Sequence, residues 1–207
     1  MTKKNIVVVG GGFGGLYTAK HLAKKLKKND DIKITLIDKH SYFTYMTELH
    51  EVAAARVEEN AIQYDLQRLF SRRKNVDVVT DEVTSINRSE KKVVTKNGAF
   101  AYDYLVLSLG AEPNDFGTPG VKEHGFTLGN WQQAVDLKHH VIDMVRKGAV
   151  ERDPEKRAAY LNFVVVGSGF TGVETIGELR SWRDELAKEN KIDPEEIVFT
   201  MMEMAPT

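Results

Sequence analysis

The chain has 207 residues, 42% of them hydrophobic and 29% charged, and its 29 Lys and Arg against 30 Asp and Glu leave a formal net charge of −1. That length supports one large domain or two small ones with a substantial core, and the even charge balance excludes a nucleic-acid binder held by general basicity. Cysteine is absent, so these residues offer no disulfide framework, thiolate metal site or redox dithiol. The six histidines (His21, His40, His50, His124, His139 and His140) show no HExxH or related ligand spacing, and no metal site is expected. No apolar stretch reaches the length of a signal-peptide core or a membrane span, so the chain reads as cytoplasmic.

In chain order, the continuous apolar run Ile6–Val9 predicts a strand buried on both faces of a parallel sheet. Glycines follow at once. Leu16, Ala19, Leu22, Ala23 and Leu26 then recur at the spacing of one helix face. That helix ends in Lys24-Lys25-Leu26-Lys27-Lys28. A membrane-surface patch is one reading of this basic end, but cations at a helix C-terminus are favoured by the dipole and solvated there, which is the simpler account. Asn29-Asp30-Asp31 turns the chain into a second strand, 32–37, closing on Asp38. Strand, glycine turn, helix and strand make a right-handed βαβ unit.

Helices are expected over about 46–56 and 62–70, then short β pieces at 76–79, 83–87, 92–95 and 100–102, with Asn97-Gly98 as a hairpin turn. Tyr104–Leu109 reads as another buried strand, and the Gly, Pro, Asn and Asp of 111–130 as a connection between substructures. A helix over about 131–146 follows, then a strand at 161–166, the run Gly167-Ser168-Gly169-Phe170-Thr171-Gly172, a further helical pattern, and a last strand at 197–202 ending on Glu203. The second half thus restates the first: strand, glycine turn, helix, strand, acid. The fold class is α/β, with one parallel-sheet nucleotide-binding domain carrying a small antiparallel β piece over 1–112. The beginning of a second such domain occupies 113–207.

Both glycine runs satisfy GxGxxG, with Gly10, Gly12 and Gly15 in the first and Gly167, Gly169 and Gly172 in the second. The first glycine permits the tight strand-to-helix turn, the second admits a pyrophosphate to the backbone, and the third lets helix pack close to strand. The pyrophosphate then lies on the unpaired N–H groups of the helix N-terminus. Asp38 stands 23 residues past Gly15 and Glu203 stands 31 past Gly172, each placed to accept hydrogen bonds from ribose hydroxyls. An acid at 203 favours NAD over NADP, because it repels a 2′-phosphate. Glu174, two residues into the second helix on this reading, is either a carboxylate stabilised by the helix dipole or a group beside the junction of two cofactors that orients a nicotinamide or passes a proton.

Two such motifs in one chain, with Gly15, Ala19 and Leu22 continuing the first and Leu107-Ser108-Leu109-Gly110-Ala111-Glu112-Pro113 ahead of the second, resemble the two-dinucleotide-binding flavoproteins. Further motifs make the chain most similar, within that superfamily, to type II NADH dehydrogenase, the single-subunit NADH:quinone oxidoreductase of respiratory chains. They are 34–39 (ITLIDK), 47–51 (TELHE), 169–174 (GFTGVE), 177–179 (GEL) and 203–206 (EMAP).

The resemblance implies an FAD-dependent oxidoreductase passing hydride from NADH to flavin and electrons on to a membrane quinone. It implies FAD contacts at Gly10, Gly11, Gly12, Phe13, Gly14, Gly15, Asp38, Lys39, Thr47, Val83 and Gly110. It implies NADH contacts at Gly167, Gly169, Phe170, Thr171, Gly172 and Glu203, with Glu174 as the catalytic glutamate near nicotinamide and flavin. Ile176 departs from the small residue many members carry there, next to Gly177. Members run about twice as far, so an N-terminal fragment is expected. The quinone site and a membrane-attaching C-terminus, on the cytoplasmic face and in a homodimer, would lie beyond it. A flavin disulfide reductase or a sulfide:quinone reductase needs cysteines that are missing here. A ferredoxin or rubredoxin reductase, or a non-catalytic nucleotide-binding module, stands as the alternative.

Overall fold

The computed structural model describes residues 4–203. Its elements run in chain order as β1 (Lys4–Val9), α1 (Phe13–Lys25), β2 (Ile32–Asp38), β3 (Tyr42–Thr44) and α2 (Leu49–Ala53). Next come β4 (Gln63–Asp65), α3 (Leu66–Phe70), β5 (Val76–Thr80), β6 (Val83–Asn87), β7 (Lys92–Thr95), β8 (Ala99–Ala101) and β9 (Tyr104–Leu107). The remainder is α4 (Val121–His124), α5 (Trp131–Val150), α6 (Pro154–Tyr160), β10 (Asn162–Val166), α7 (Phe170–Asn190) and β11 (Val198–Met202). Two compact units emerge: the residues up to Tyr45 with Gln63–Glu112, and Met46–Ile62 with the residues from Pro113 onward. None of the helices among the described residues is long and apolar enough to cross a membrane.

The first unit is built on a parallel sheet of order β5-β2-β1-β9. Its central strand β1 pairs β2 on one side (Ile6 with Ile34) and β9 on the other (Ile6 with Tyr104). Side chains alternate across a strand. Ile6 and Val8 therefore join Leu16, Ala19, Ala23, Ile34, Leu36 and Phe70 on the helix-covered face. Val7, Val9 and Ile37 join Val93, Val83 and Phe100 on the other face, which the antiparallel sheet β6-β7-β8 covers. This two-sided burial is why an unbroken apolar run, rather than an alternating one, marks β1.

The second unit holds the parallel pair β10–β11 (Val164 with Thr200). Its core gathers Val141, Val145, Leu161, Leu179, Trp182, Leu186 and Ile197, and a second cluster packs Leu49, Val52, Ala53 and Ile62 on Ala134 and Val135. Arg157 ties α5, α6 and the turn before β11 together. Its Nη1 donates to the carbonyls of Gly148 (2.7 Å) and Ala149 (3.1 Å), and its Nε and Nη2 donate to Glu196 (2.5 and 2.9 Å).

Several expected elements are corrected. The helix expected over 46–56 is a single 3-10 turn at Met46–Glu48 followed by the five residues of α2, and the chain then takes a left-handed conformation at Ala55 (φ 56°) that no helix continues through. The helix expected over 62–70 begins only at Leu66. Residues 63–65 instead pair with 42–44 as β3–β4, and the Asp65 carboxylate caps α3 by accepting from the Arg68 N–H at 2.6 Å. Tyr104–Leu109 is not a buried strand. It shortens to β9 at the sheet edge, with Tyr104 64% and Leu107 53% exposed, because among the described pairings it has a neighbour on one side only. The helix expected over 131–146 runs on to Val150.

Candidate functional site

Gly10 makes the turn out of β1 with φ +100°, and its N–H donates to Ile37 O at 2.8 Å, locking the turn to the end of β2. A side chain at Gly10 would overlap the carbonyl of Ser108, and one at Gly15 would overlap the carbonyl of Gly10, so both positions need glycine for close packing. Asp38 ends β2 with its carboxylate already engaged in the loop: Oδ2 accepts from the Gly11 N–H at 2.5 Å and Oδ1 from the His40 N–H at 2.7 Å. Gly12 differs from its neighbours. It caps α1 in an extended conformation (φ −71°, ψ −169°) open to any residue, and a Cβ there would meet nothing within 4 Å. Among the described residues no protein group explains this glycine. It leaves room for a ligand to reach the first N–H groups of α1, which carry no side-chain cap.

The second loop repeats this geometry in the second unit. Gly167 has φ +102° and donates to Met202 O at 2.8 Å. A side chain at Gly172 would overlap the Gly167 carbonyl, as at Gly15, and Gly169 is open space, as at Gly12. Gly169 caps α7 at φ −67° and ψ 174° without a side-chain bond. The acid after the following strand is again tied to the loop: Glu203 Oε2 accepts from Ser168 N–H at 2.7 Å and from Ser168 Oγ–H at 2.6 Å. Residues 204–206, part of the closing motif, lie outside the described residues.

In the first unit the structure gathers Gly10–Gly15 and Asp38 around one turn, with exposed Lys39 next in the chain and Gly110 (φ +79°) two residues beyond Ser108. Phe13 packs edge-on against Phe43 at 5.0 Å and Tyr45 at 5.3 Å. Val83 opens β6, its side chain packed with Val7, Val9 and Ile37. Thr47 is exposed on the 3-10 turn, within the second unit. In the second unit Gly167, Gly169, Thr171, Gly172 and Glu203 surround the other turn, and Phe170 is 90% exposed.

Glu174 is the fifth residue of α7, not the second, because the helix starts directly after Gly169. It has a partner that sequence reasoning missed: its Oε2 lies 3.6 Å from His50 Nδ1, with the histidine largely covered and the carboxylate half exposed. One helical turn on, Glu178 pairs with Arg56. Residues 50–56 therefore offer two basic groups to two acids spaced i, i+4 on α7. The acid spacing was readable. Its partners, more than 100 residues away, were not. Ser108, whose carbonyl and hydroxyl crowd Gly10 and Gly14, was also missed as a wall of the first loop.

Two glycine turns of one geometry, each closed by an acid from the end of the next parallel strand, define a protein of the dinucleotide-binding α/β class. The model for the pyridine nucleotide-disulphide oxidoreductases matches residues 4–194, and the chain belongs to that family. It is 34% identical to a type II NADH:quinone oxidoreductase of Staphylococcus epidermidis and 35% identical to one of Staphylococcus aureus, in each case over 99% of this chain and 50% of the relative. The chain thus spans about half the length of the curated relatives it matches.

Among solved structures, NDH2 from Plasmodium falciparum in complex with NADH superposes with a TM-score of 0.84 at 22% identity, covering 96% of this chain and 41% of that one. The reduced CoADR-RHD of Bacillus anthracis gives a TM-score of 0.70 at 27% identity, covering 99% and 33%. These likenesses fit the expected fold class.

Proposed function

We propose that this chain carries the FAD- and NADH-binding parts of an NADH:quinone oxidoreductase. The observation that carries the reading is the open glycine in each loop, Gly12 and Gly169, where space is kept at an uncapped helix start for no protein group. The names of the type II relatives give NADH as the donor and a quinone as the acceptor to expect, and the flavoprotein resemblance of the first loop gives FAD. The flavin, when bound, supplies the two-electron relay between a hydride donor and a quinone.

The protein supplies binding and electrostatics. The N–H groups that open α1 take the pyrophosphate of FAD, and those that open α7 take that of NADH, each helped by the helix dipole. Asp38, held by Gly11 and His40, and Glu203, held by Ser168, are fixed carboxylate acceptors for ribose hydroxyls. Within the first unit Lys39, Val83 and Gly110 complete the FAD contacts, and Phe170 and Thr171 those of NADH. Glu174 orients the nicotinamide or relays a proton. A quinone is dissolved in lipid, so the whole protein works at a membrane surface, and the resemblance implies the cytoplasmic face.

The experiment uses the whole protein. Acid should release FAD into the supernatant, because the loop offers only non-covalent groups, and NADH should reduce an added quinone faster than an iron–sulfur protein. Colour retained in the precipitate, or preference for the iron–sulfur acceptor, overturns the reading.

A further inference from the structure

One surface of the first unit is left unused by this reading. Residues 13–28, which include α1, contain Lys20, Lys24, Lys25, Lys27 and Lys28 and no acid, and residues 66–76, which include α3, contain Arg68, Arg72, Arg73 and Lys74 and no acid. The fold brings the two together. Asn75 Nδ2 donates to the carbonyl of Ala23 at 3.2 Å, and Leu22, Leu26 and Leu69 pack on one core. An open groove of about 670 Å³ runs between them, walled by Lys20, Lys24 and Arg73 with Tyr17, Leu22 and Leu69, and a second of about 490 Å³ lies among Arg68, Arg72 and Arg73.

These two segments thus carry nine cations in a chain of net charge −1, which leaves −10 for all the rest, and five of the nine (Lys20, Lys24, Arg68, Arg72 and Arg73) line the grooves. None of the nine forms an ion pair among the described residues. Of the acids that flank them in sequence, Asp65 caps α3, Asp77 is paired with Lys33 at 2.6 Å, and Asp30 and Asp31 follow in the turn after Lys28.

We propose that the end of α1 and the turn from α3 to β5 form a docking surface for an anionic lipid bilayer. The gathered charge is complementary to an anionic partner, and the form of the patch selects a surface over a single phosphate. All but Lys20 of the nine are exposed on flexible side chains, whereas one phosphate is held by fixed, convergent donors. Flexible cations near a fluid anionic surface need no convergence. Tyr17, 60% exposed with Lys20 Nζ 5.6 Å from its ring centroid, adds an aromatic of the kind that settles at headgroup level. The choice of a bilayer over an acidic protein rests on the quinone reading above, since that acceptor is lipid-dissolved.

The test is flotation of the protein with vesicles of phosphatidylcholine alone and with about one third phosphatidylglycerol, which needs no turnover. The triple variant Lys24→Glu/Arg72→Glu/Arg73→Glu is compared with a control of equal charge change outside the patch, Arg146→Glu/Lys156→Glu/Lys188→Glu, both checked for fold by circular dichroism. At about fivefold per cation lost, with the three new carboxylates adding repulsion, the patch variant should bind anionic vesicles at least about 100-fold more weakly, and the control should lose far less. Wild-type binding should also fall steeply with salt. Equal loss in both variants, or flotation as strong with neutral vesicles, overturns the proposal. So does binding to polyglutamate without binding to vesicles, which would assign the patch to an acidic protein. Reduction of a water-soluble quinone, measured separately, tells failure of this surface from failure of the quinone reading.

Discussion

Replacing Gly12 and Gly15 separately by alanine sets the ligand account of the first loop against a purely structural one. At Gly15 a new Cβ would sit more than 1 Å inside the 3.0 Å that real Cβ atoms keep, against the backbone carbonyl of Gly10, which cannot swing away as a side chain would. Helix α1 would have to lift off β1, disturbing Leu16 and Ala19 on the core. Overpacking of that kind costs about 1–3 kcal/mol, which for a unit of this size lowers Tm by roughly 5–15 °C.

At Gly12 the Cβ meets nothing and the backbone is ordinary extended chain. Alanine there should leave the cofactor-free protein unchanged, or more stable by about 0.4–1 kcal/mol through the unfolded state. The same methyl would stand where the pyrophosphate must approach, so FAD retention should fall at least tenfold, about 1.4 kcal/mol. Thermal unfolding of flavin-stripped protein and FAD titration by fluorescence quenching separate the two effects. If Gly12→Ala unfolds as early as Gly15→Ala, or binds FAD like the wild type, the assignment of the open glycine to a ligand is wrong.

Steady-state rates should favour NADH over NADPH by one to two orders of magnitude, about 1.4–2.8 kcal/mol. Glu203→Gln should narrow that gap, and equal use of both nucleotides by the wild type would show that Glu203 does not face the ribose. Glu174→Gln should cut turnover more than tenfold with FAD still bound. If the carboxylate only answers the helix dipole or tethers His50, stability should drop by under about 1 kcal/mol and stopped-flow flavin reduction and reoxidation should both be unchanged. The Arg157 guanidinium, by hydrogen bonding, holds the Glu196 carboxyl below its usual range. Its stabilisation is therefore complete above the ordinary value of about 4.3 and disappears as pH falls through the lower folded value. Arg157→Met should lower stability at pH 7 by about 1 kcal/mol and flatten the decline of the urea midpoint between about pH 5 and pH 3.

Both loops were legible because their chemistry is local: a strand that must be buried, a glycine that must turn, a helix start and an acid at the end of the next strand all fall within about 40 residues. What lay outside that span was not. Residues 46–56 read as a helix of the first substructure, yet 46–62 pack with the second unit, because Leu49, Val52, Ala53 and Ile62 fit Ala134 and Val135 far along the chain. Gln63-Tyr64-Asp65 carries a helix-compatible pattern, and pairing with Tyr42-Phe43-Thr44 overrides it. The partners of Glu174 and Glu178 are hidden for the same reason: periodicity shows which face an acid occupies and says nothing of which distant segment lies against it.

The two repeats also separate what a loop sequence dictates from what its neighbours supply. With Gly10 matched to Gly167, Val7 and Val9 correspond to Val164 and Val166, and Phe13 to Phe170. The turns agree within 2° in φ at the first glycine. Burial does not agree at all: Val7 and Val9 are 1% and 4% exposed, Val164 and Val166 47% and 62%. In the first unit that face lies under β6-β7-β8, and β9 lies beside β1 with Ser108 against the turn. In the second, β10 pairs only with β11 among the described residues. Backbone geometry at each turn is therefore set by glycine sterics and one strand-to-loop carboxylate, independent of the cover on the sheet. The turn conformation is local and repeats with the motif, whereas the packing that holds each strand in place depends on what the rest of its unit brings to it.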